Sequence, residues 1–215
     1  MKKRLFGLTL CLLLLVCSSA AAEGGMSFYR RMTYGALAPY ENMAYGYALS
    51  VYERFVMVSD EEMETVWQNL DASLTEEDDE VYDLHIWYDP EGRYQFEVQL
   101  KEPTYDSFDT EVEMAPQYLD LVRDQYDEDS NVRMLHEGIL RDTPAGQMLE
   151  TALAYDDVNM YGDSYTVIFL YYDFYAGDRE FCLTLHAYDG DYEAAQSLLD
   201  EIAHTFQVSD GSVQA

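Results

Sequence analysis

The stretch YTVIFLYYDFYAGDREFCLTLHA, Tyr165–Ala187, decides the fold of this chain. Two runs rich in aromatic and aliphatic residues flank Gly177-Asp178, and glycine in the first loop position favours a type II′ hairpin turn. Such a turn sets the register of the two strands, so it determines which residues lie opposite each other along the hairpin. One face of the hairpin then holds only apolar or aromatic pairs: Phe174–Phe181, Tyr172–Leu183, Leu170–Leu185 and Ile168–Ala187.

The opposite face of this hairpin carries reactive residue types: Asp173 opposite Cys182, Tyr171 opposite Thr184, and Phe169 opposite His186. On a strand, Cys182 and His186 lie about 13 Å apart at roughly 3.3 Å per residue. That separation is too large for two ligands of one zinc ion, whose bonds are about 2.0–2.3 Å long. A neighbouring carboxylate also disfavours the thiolate form of Cys182. We therefore interpret the stretch as a structural hairpin rather than a metal or nucleophile site.

The rest of the chain alternates between strand and helix patterns. A strand is predicted over 46–58, and a helix capped by Ser59 and Glu62 is predicted to follow it. A second hairpin is predicted over 81–100. Another helix is predicted within 110–126, with its start at either Thr110 or Pro116. Two strands are then predicted around Thr143–Gly146. An aspartate in 189–193 is expected to cap a closing helix, whose apolar stripe comprises Ala195, Leu198, Leu199, Ile202 and Phe206.

The hairpin over 81–100 also allows a register to be predicted. Pairing Tyr88 with Tyr94 places Ile86 opposite Phe96 and makes one face apolar. The other face is mostly polar, with Trp87, His85 and Asp83 opposite Gln95, Glu97 and Gln99. This pattern is typical of an antiparallel sheet that is covered on one side.

Together these elements predict an α+β fold, with an antiparallel sheet of about six to seven strands flanked by helices. From Gly46 to Val208 the chain resembles the PsbP-like family, which includes a photosystem extrinsic protein and a Ran guanine-nucleotide release factor. The resemblance depends on HEGILRDTPAGQMLETALAY (136–155), YTVIFLYYDFY (165–175) and LLDEIAHTF (198–206). It implies an α/β/α sandwich and, by analogy alone, docking to larger assemblies. It implies no shared active site.

The N-terminal residues predict export. Basic Lys2, Lys3 and Arg4 precede the apolar run Leu5–Val16, and Ala20–Ala22 fits a cleavage site, so residues 1–22 are predicted to be a signal peptide. A retained membrane anchor is disfavoured because the apolar run is short. Lipidation at Cys17 is the other alternative, although Val16 stands where a small residue is usual. Residues 23–45 are expected to be a flexible leader, 46–208 a single domain and 209–215 a frayed tail.

The charge of the chain excludes some classes of partner. With 12 basic and 42 acidic residues the net charge is −30, and removal of the three basic signal residues leaves nine against 42, or −33. Nucleic acid is not expected, because binding phosphates requires basic side chains. Cations and basic proteins are the expected partners. Cleavage would leave Cys182 as the single cysteine, which excludes an intramolecular disulfide.

No local motif marks catalysis or cofactor binding. His85, His136 and His204 lie far apart in sequence, although a site assembled by folding stays open. The acidic segment 127–131 alternates oxygen ligands but has Val132 and Gly138 where an EF-hand needs Gly and Glu. Segments 76–80 and 189–193 fail in the same way. Catalytic and cofactor residues are therefore predicted to be absent, and metal binding is undecided.

Three functional hypotheses follow from the sequence. The leading one is a secreted, non-enzymatic domain that binds a protein through its acidic surface or sheet face. The chain has 20 tyrosines, which suit either a binding surface or the strands themselves. The second hypothesis is a protein that binds a divalent cation or small ligand. The third is an enzyme whose site is dispersed along the sequence.

Overall fold

The computed structural model of the chain describes residues 34–73, 81–117, 131–159, 161–188 and 190–209. Within these ranges it contains ten strands and three helices, with a 3₁₀ turn (Ala115–Gln117) after the second helix. In chain order they are β1 (Leu37–Asn42), β2 (Tyr47–Tyr52), β3 (Val56–Met57), α1 (Asp60–Ser73), β4 (Val81–Tyr88), β5 (Tyr94–Lys101), α2 (Phe108–Met114), β6 (Arg133–Thr143), β7 (Gly146–Val158), β8 (Ser164–Ala176), β9 (Arg179–Ala187), α3 (Tyr192–Ala203) and β10 (Gln207–Val208).

The strands form two antiparallel sheets. Seven strands make the large sheet, in the order β3-β4-β5-β9-β8-β7-β6, and three make the small sheet, in the order β1-β2-β10. The small sheet and α3 cover one face of the large sheet and enclose the main hydrophobic core with it. Helix α1 packs on the opposite face, against β4. The predicted α+β sandwich with an antiparallel sheet is therefore confirmed.

Hairpin β8–β9 has the predicted register. Phe174 pairs with Phe181, and the pairing continues without a shift to Ile168 and Ala187. Gly177 has φ of 67°, and a type II′ turn requires a positive φ at this position. The apolar face of the hairpin lies in the main core, where Leu170, Leu183 and Leu185 are all 0% exposed. The local turn was sufficient to predict the pairing.

The predicted register of hairpin β4–β5 is wrong by one residue. Phe96 pairs with Trp87 rather than with Ile86, and a bulge follows between Val81 and Asp83. The prediction assumed that only one face of this hairpin is covered. In the structure Trp87 and Phe96 lie in the main core, whereas Ile86 faces the other way and packs with Met63 of α1. Both faces of β4 are covered, so alternation of apolar residues did not determine its register.

Part of the segment expected to be a leader forms a strand instead. Residues 37–42, within the segment expected to be a leader, form β1 and pair along their whole length with β2. The single strand expected over 46–58 is divided into β2 and β3, which belong to different sheets. A turn separates them, in which the Phe55 N–H donates to the Tyr52 carbonyl at 2.9 Å. The division lets the chain pass from the small sheet to the edge of the large one.

The helices begin at capping residues, two of which were predicted. At α1 the Ser59 N–H donates to Glu62 Oε2 at 3.0 Å, and at α3 the Ala194 N–H donates to Asp191 Oδ1 at 2.9 Å. Helix α2 instead begins after Ser107, whose hydroxyl accepts the Thr110 N–H at 3.2 Å, so neither Thr110 nor Pro116 starts it. The remainder of the helix predicted within 110–126 lies outside the described residues beyond 117.

Candidate functional site

Three carboxylates lie together on the face of the large sheet opposite α3. They are Glu111 of α2, Asp173 of β8 and Glu180 of β9, and one oxygen from each lies within 4.8 Å of the other two. We call this group the carboxylate cluster. Its side chains are 4%, 6% and 0% exposed, respectively. Burial of three acidic groups in contact is costly unless a positive charge or protons compensate.

The fold brings these residues together from two directions. Asp173 pairs with Cys182 and Tyr175 with Glu180, so Asp173 and Glu180 share one face of the hairpin on neighbouring pairs. Glu111 arrives from α2. The segment before α2 is attached to the hairpin, because the Thr104 N–H donates to Glu180 Oε2 at 2.7 Å. Glu180 therefore positions the chain that delivers Glu111.

A buried lysine compensates one of the three acidic groups. Lys101 Nζ lies 2.9 Å from Glu180 Oε1 and donates a hydrogen bond to Thr104 Oγ1 at 2.6 Å. Among the described residues, Glu111 Oε2 has no hydrogen-bond partner, although the Tyr175 side chain interacts with the Glu111 carboxylate. If all the carboxylates are ionised, the three of them and Lys101 carry a net charge of −2. The cluster therefore needs further positive charge or protons.

The pKa values of these groups reflect burial and crowding. Burial, followed by the charges of Asp173 and Glu180, raises the pKa of Glu111. Burial and Glu180 raise the pKa of Asp173 in the same way. Burial and Asp173 also raise the pKa of the Cys182 thiol, so this sulfur stays protonated and is a poor nucleophile.

A small cavity adjoins the cluster. Its volume is about 20 Å³, and Glu111 and Asp173 contribute to its wall together with Tyr105, Met114, Ala115, Leu149 and Thr151. A space of this size holds one water-sized species. It is far below the size of an organic substrate site, which is typically about 300–1,000 Å³. The cluster is therefore suited to a proton, a water or an ion.

A further buried carboxylate, Glu150 on β7, has a different environment. Its side chain is 0% exposed, and His136 Nε2 lies 2.7 Å from its Oε1. Burial opposes ionisation, but contacts with His136 and Arg141 outweigh it and lower the pKa of Glu150 to about 2. The donors to Glu150 come from three further elements and are Arg141, Tyr172, Tyr192 and Gln196. Glu150 is saturated with partners, so we assign it a structural role.

An open groove runs along the exposed side of α3. Its volume is about 450 Å³, and no Lys or Arg contributes to its lining, which consists of Leu37, Glu193, Gln196, Ser197, Asp200, Glu201 and His204. Glu193 and Glu201 are exposed at its rim. The groove is therefore acidic, and it lies on the opposite face of the large sheet from the carboxylate cluster.

The structure does not gather the cysteine and histidines considered from the sequence. Cys182 Sγ lies 3.4 Å from Thr184 Oγ1, whereas His186 Nε2 lies 3.2 Å from Glu97 Oε1. The other three histidines contact different groups: His85 contacts Asp83, His136 contacts Glu150, and His204 contacts the Asp200 carbonyl. The acidic segments 76–80 and 127–130, and Asp189, lie outside the described residues.

Sequence reasoning did not find the carboxylate cluster, although one signal was present. Asp173 interrupts a strand that is otherwise aromatic and aliphatic, and Glu180 follows the turn of the same hairpin. Acidic residues in such strands are seldom buried unless they have partners. Glu111 lies more than 60 positions earlier in the chain, and no local pattern links it to the hairpin.

Comparison with known proteins places the fold. No protein-family model matches the chain, and no curated protein does. It is similar to the solution structure of cyanobacterial PsbP from Synechocystis sp. PCC 6803, with a TM-score of 0.53 and 16% identity over 88% of this chain and 98% of that one. It is also similar to the Ran-binding protein Mog1p of Saccharomyces cerevisiae, with a TM-score of 0.50 and 14% identity over 84% and 100%.

At these identities the similarity shows the fold alone. In the part of the chain that the structure describes, no helix is long and apolar enough to cross a membrane. The matches cover 88% and 84% of this chain, which is most of its length. The chain therefore has the PsbP-like fold, as its sequence predicted.

Proposed function

We propose that this chain is an exported, non-enzymatic interaction domain that binds a basic segment of a protein partner in the groove along α3. The observation that carries the proposal is the lining of that groove, which contains Glu193, Asp200 and Glu201 and neither Lys nor Arg. Partners with complementary charge associate faster and in the correct orientation. The net charge of −30 adds long-range attraction for such a partner.

The groove wall is held in place before any partner binds. Glu193, Ser197, Glu201 and His204 follow one another at intervals of three or four residues, so they share one side of α3. The opposite side of α3 is buried in the main core through Ala195, Leu198, Leu199 and Ile202. A helix fixed in this way loses little conformational freedom when a ligand binds, which lowers the entropic cost of association.

A binding role is also supported by what the site offers chemically. The cavity at the carboxylate cluster is too small for an organic substrate, and the histidines contact separate partners. The yeast protein with this fold is a Ran-binding protein, which is an example of the fold serving to bind another protein. Export through the predicted signal peptide over 1–22 belongs to the same proposal. The mass of the protein recovered from outside the cytoplasm tests it. Cleavage near Ala22, lipidation at Cys17 and retention of the signal peptide give three different masses.

The experiment compares two variants with equal net charge. In Glu193→Lys/Glu201→Lys the groove rim is reversed, whereas in Glu64→Lys/Glu113→Lys two exposed glutamates of α1 and α2 are reversed instead. A fluorescent lysine-rich peptide serves as the basic probe, and binding is followed by anisotropy at low and physiological salt. We expect the groove variant to bind about tenfold more weakly than the control variant, because two exposed ion pairs are lost.

Salt dependence provides the second readout. Binding to the wild type should weaken as salt rises, since exposed charges are screened within about 10 Å at 0.1 M. Equal affinity of the two variants for the peptide would show that overall charge, and not the groove, attracts it, and the proposal would then be wrong.

A further inference from the structure

We propose that the carboxylate cluster is a binding site for one divalent cation of calcium size, with Glu111, Asp173 and Glu180 as its protein ligands. The site lies outside the acidic segments considered from the sequence. It is also separate from the proposed protein-binding groove, because α3 covers the other face of the large sheet. Failure of either proposal therefore leaves the other intact.

The spacing of the oxygens permits a single ion to contact all three side chains. Calcium binds oxygen ligands at about 2.3–2.6 Å, so two ligands on opposite sides of the ion are about 5 Å apart. One oxygen from each carboxylate of the cluster lies within 4.8 Å of the others. Carboxylates are the ligands that calcium, magnesium and manganese prefer over softer metals.

An unpartnered oxygen points to the same conclusion independently. Glu111 is only 4% exposed and its carboxylate interacts with the Tyr175 side chain, yet its Oε2 has no hydrogen-bond partner among the described residues. The cavity of about 20 Å³ lies against Glu111 and Asp173. Buried polar atoms are nearly always satisfied, so an orphaned carboxylate oxygen beside a water-sized space indicates a missing ligand.

The charge of the surroundings fits a divalent ion. Lys101 compensates Glu180, which leaves the equivalent of two negative charges when all three carboxylates are ionised. An ion of charge +2 neutralises the remainder. Glu180 can bind it and keep its present partners, because each carboxylate oxygen has two lone-pair sites.

The ligand set favours calcium over magnesium. Magnesium requires a near-ideal octahedron at about 2.0–2.1 Å and usually retains several waters. The carboxylate cluster instead offers three buried charged side chains to one ion. Calcium accepts irregular coordination and more protein ligands, as three converging carboxylates would provide.

The experiment measures calcium binding to the purified chain by calorimetry and by thermal unfolding, in buffer with physiological KCl. We expect one equivalent of calcium to bind above the weak background of the acidic surface. The unfolding midpoint should rise by about 5–10 °C when calcium reaches about one hundred times Kd. A magnesium titration at equal ionic strength should give a smaller rise.

Three isosteric variants locate the site. Glu111→Gln and Asp173→Asn each remove one ligand charge and should weaken calcium binding at least about tenfold. Glu113→Gln removes the same charge from an exposed position of the same helix and should retain the wild-type response. Circular dichroism shows whether each variant folds.

Two results would overturn the proposal. One is a wild-type response to calcium no larger than the response to magnesium. The other is an equal calcium response in the wild type, Glu111→Gln and Glu113→Gln, which would assign the effect to surface charge. If Glu111→Gln does not fold, the proposal is tested by calcium binding to Asp173→Asn and by the stoichiometry of calcium binding to the wild type.

Discussion

Lys101 Nζ lies 2.9 Å from Glu180 Oε1, and the two side chains are 11% and 0% exposed. The pair joins the end of β5 to the start of β9, two strands that are neighbours in the large sheet. Burial alone would lower the pKa of Lys101, but Glu180 outweighs this effect and raises it. The lysine is therefore charged at neutral pH, and its partner is required to keep that charge in the interior.

Breaking this pair should be costly, because either partner alone leaves an uncompensated buried charge. We expect Glu180→Leu or Lys101→Met to lower the free energy of unfolding by about 3–5 kcal/mol. The double variant Lys101→Met/Glu180→Leu should recover most of that loss, since it removes both charges and fills the space with apolar atoms. Urea unfolding of the four proteins gives the coupling energy directly. Additive losses in the double variant would contradict a buried ion pair.

Glu150 should make stability depend on pH at the acid end. Its pKa in the folded protein is lowered to about 2 from an ordinary value of 4.5. A lowered pKa means that the stabilisation is fully present above about pH 4.5 and is lost as pH falls toward 2. The full contribution is about 3 kcal/mol, at about 1.4 kcal/mol for each pH unit.

The variant Glu150→Gln tests this expectation. Its unfolding free energy should fall well below that of the wild type at pH 6, and the difference should shrink between pH 4.5 and pH 3. Glu193→Gln, which removes a charge from an exposed position, serves as the control and should differ little at any pH. A difference between wild type and Glu150→Gln that stays constant with pH would show that the carboxylate is not specially stabilised.

Phe206 should be among the most costly side chains to remove. It is 0% exposed, and its ring makes edge contacts with Phe181 at 5.3 Å and Phe174 at 5.9 Å between centroids. Phe206→Ala should therefore destabilise the protein by about 3–5 kcal/mol. Tyr161→Ala provides the control, because Tyr161 is 77% exposed and its removal should change stability by less than about 0.5 kcal/mol. Similar melting temperatures for the two variants would argue against the packing described for the closing segment.

Gly177 should resist substitution for a backbone reason alone. Its φ is 67°, and no atom beyond its two chain neighbours lies within 4 Å of the position where a Cβ would stand. Gly177→Ala thus introduces no clash with neighbours and should still cost about 1–2 kcal/mol, the penalty of a left-handed conformation. Asp178→Ala, in the second turn position, should cost less, because Asp178 is not among the residues with positive φ. Thermal unfolding of both variants measures the difference, and equal losses would mean that the turn is not the predicted type.

The β8–β9 pairing shows how much of the fold local sequence can specify. Gly177 and Asp178 form a two-residue turn, and the antiparallel ladder then repeats every two residues. No distant residue is needed to fix that register. The cap of α3 at Asp191 and its buried stripe are local in the same sense, because one hydrogen bond and a 3.6-residue period define them.

The β4–β5 register and the carboxylate cluster were beyond local reasoning. Ile86 packs with α1, and until α1 is placed the sequence does not reveal that both faces of β4 are covered. Glu111 meets Asp173 and Glu180 only in the folded chain, where the segment before α2 is bound to Glu180 through the Thr104 N–H. The sequence by itself therefore determined the class of fold, the central hairpin and the acidic character of the surface, since these depend on periodicity, turn geometry and composition. Only the tertiary structure decided which carboxylates meet, because contacts between residues distant in the chain depend on how whole layers pack.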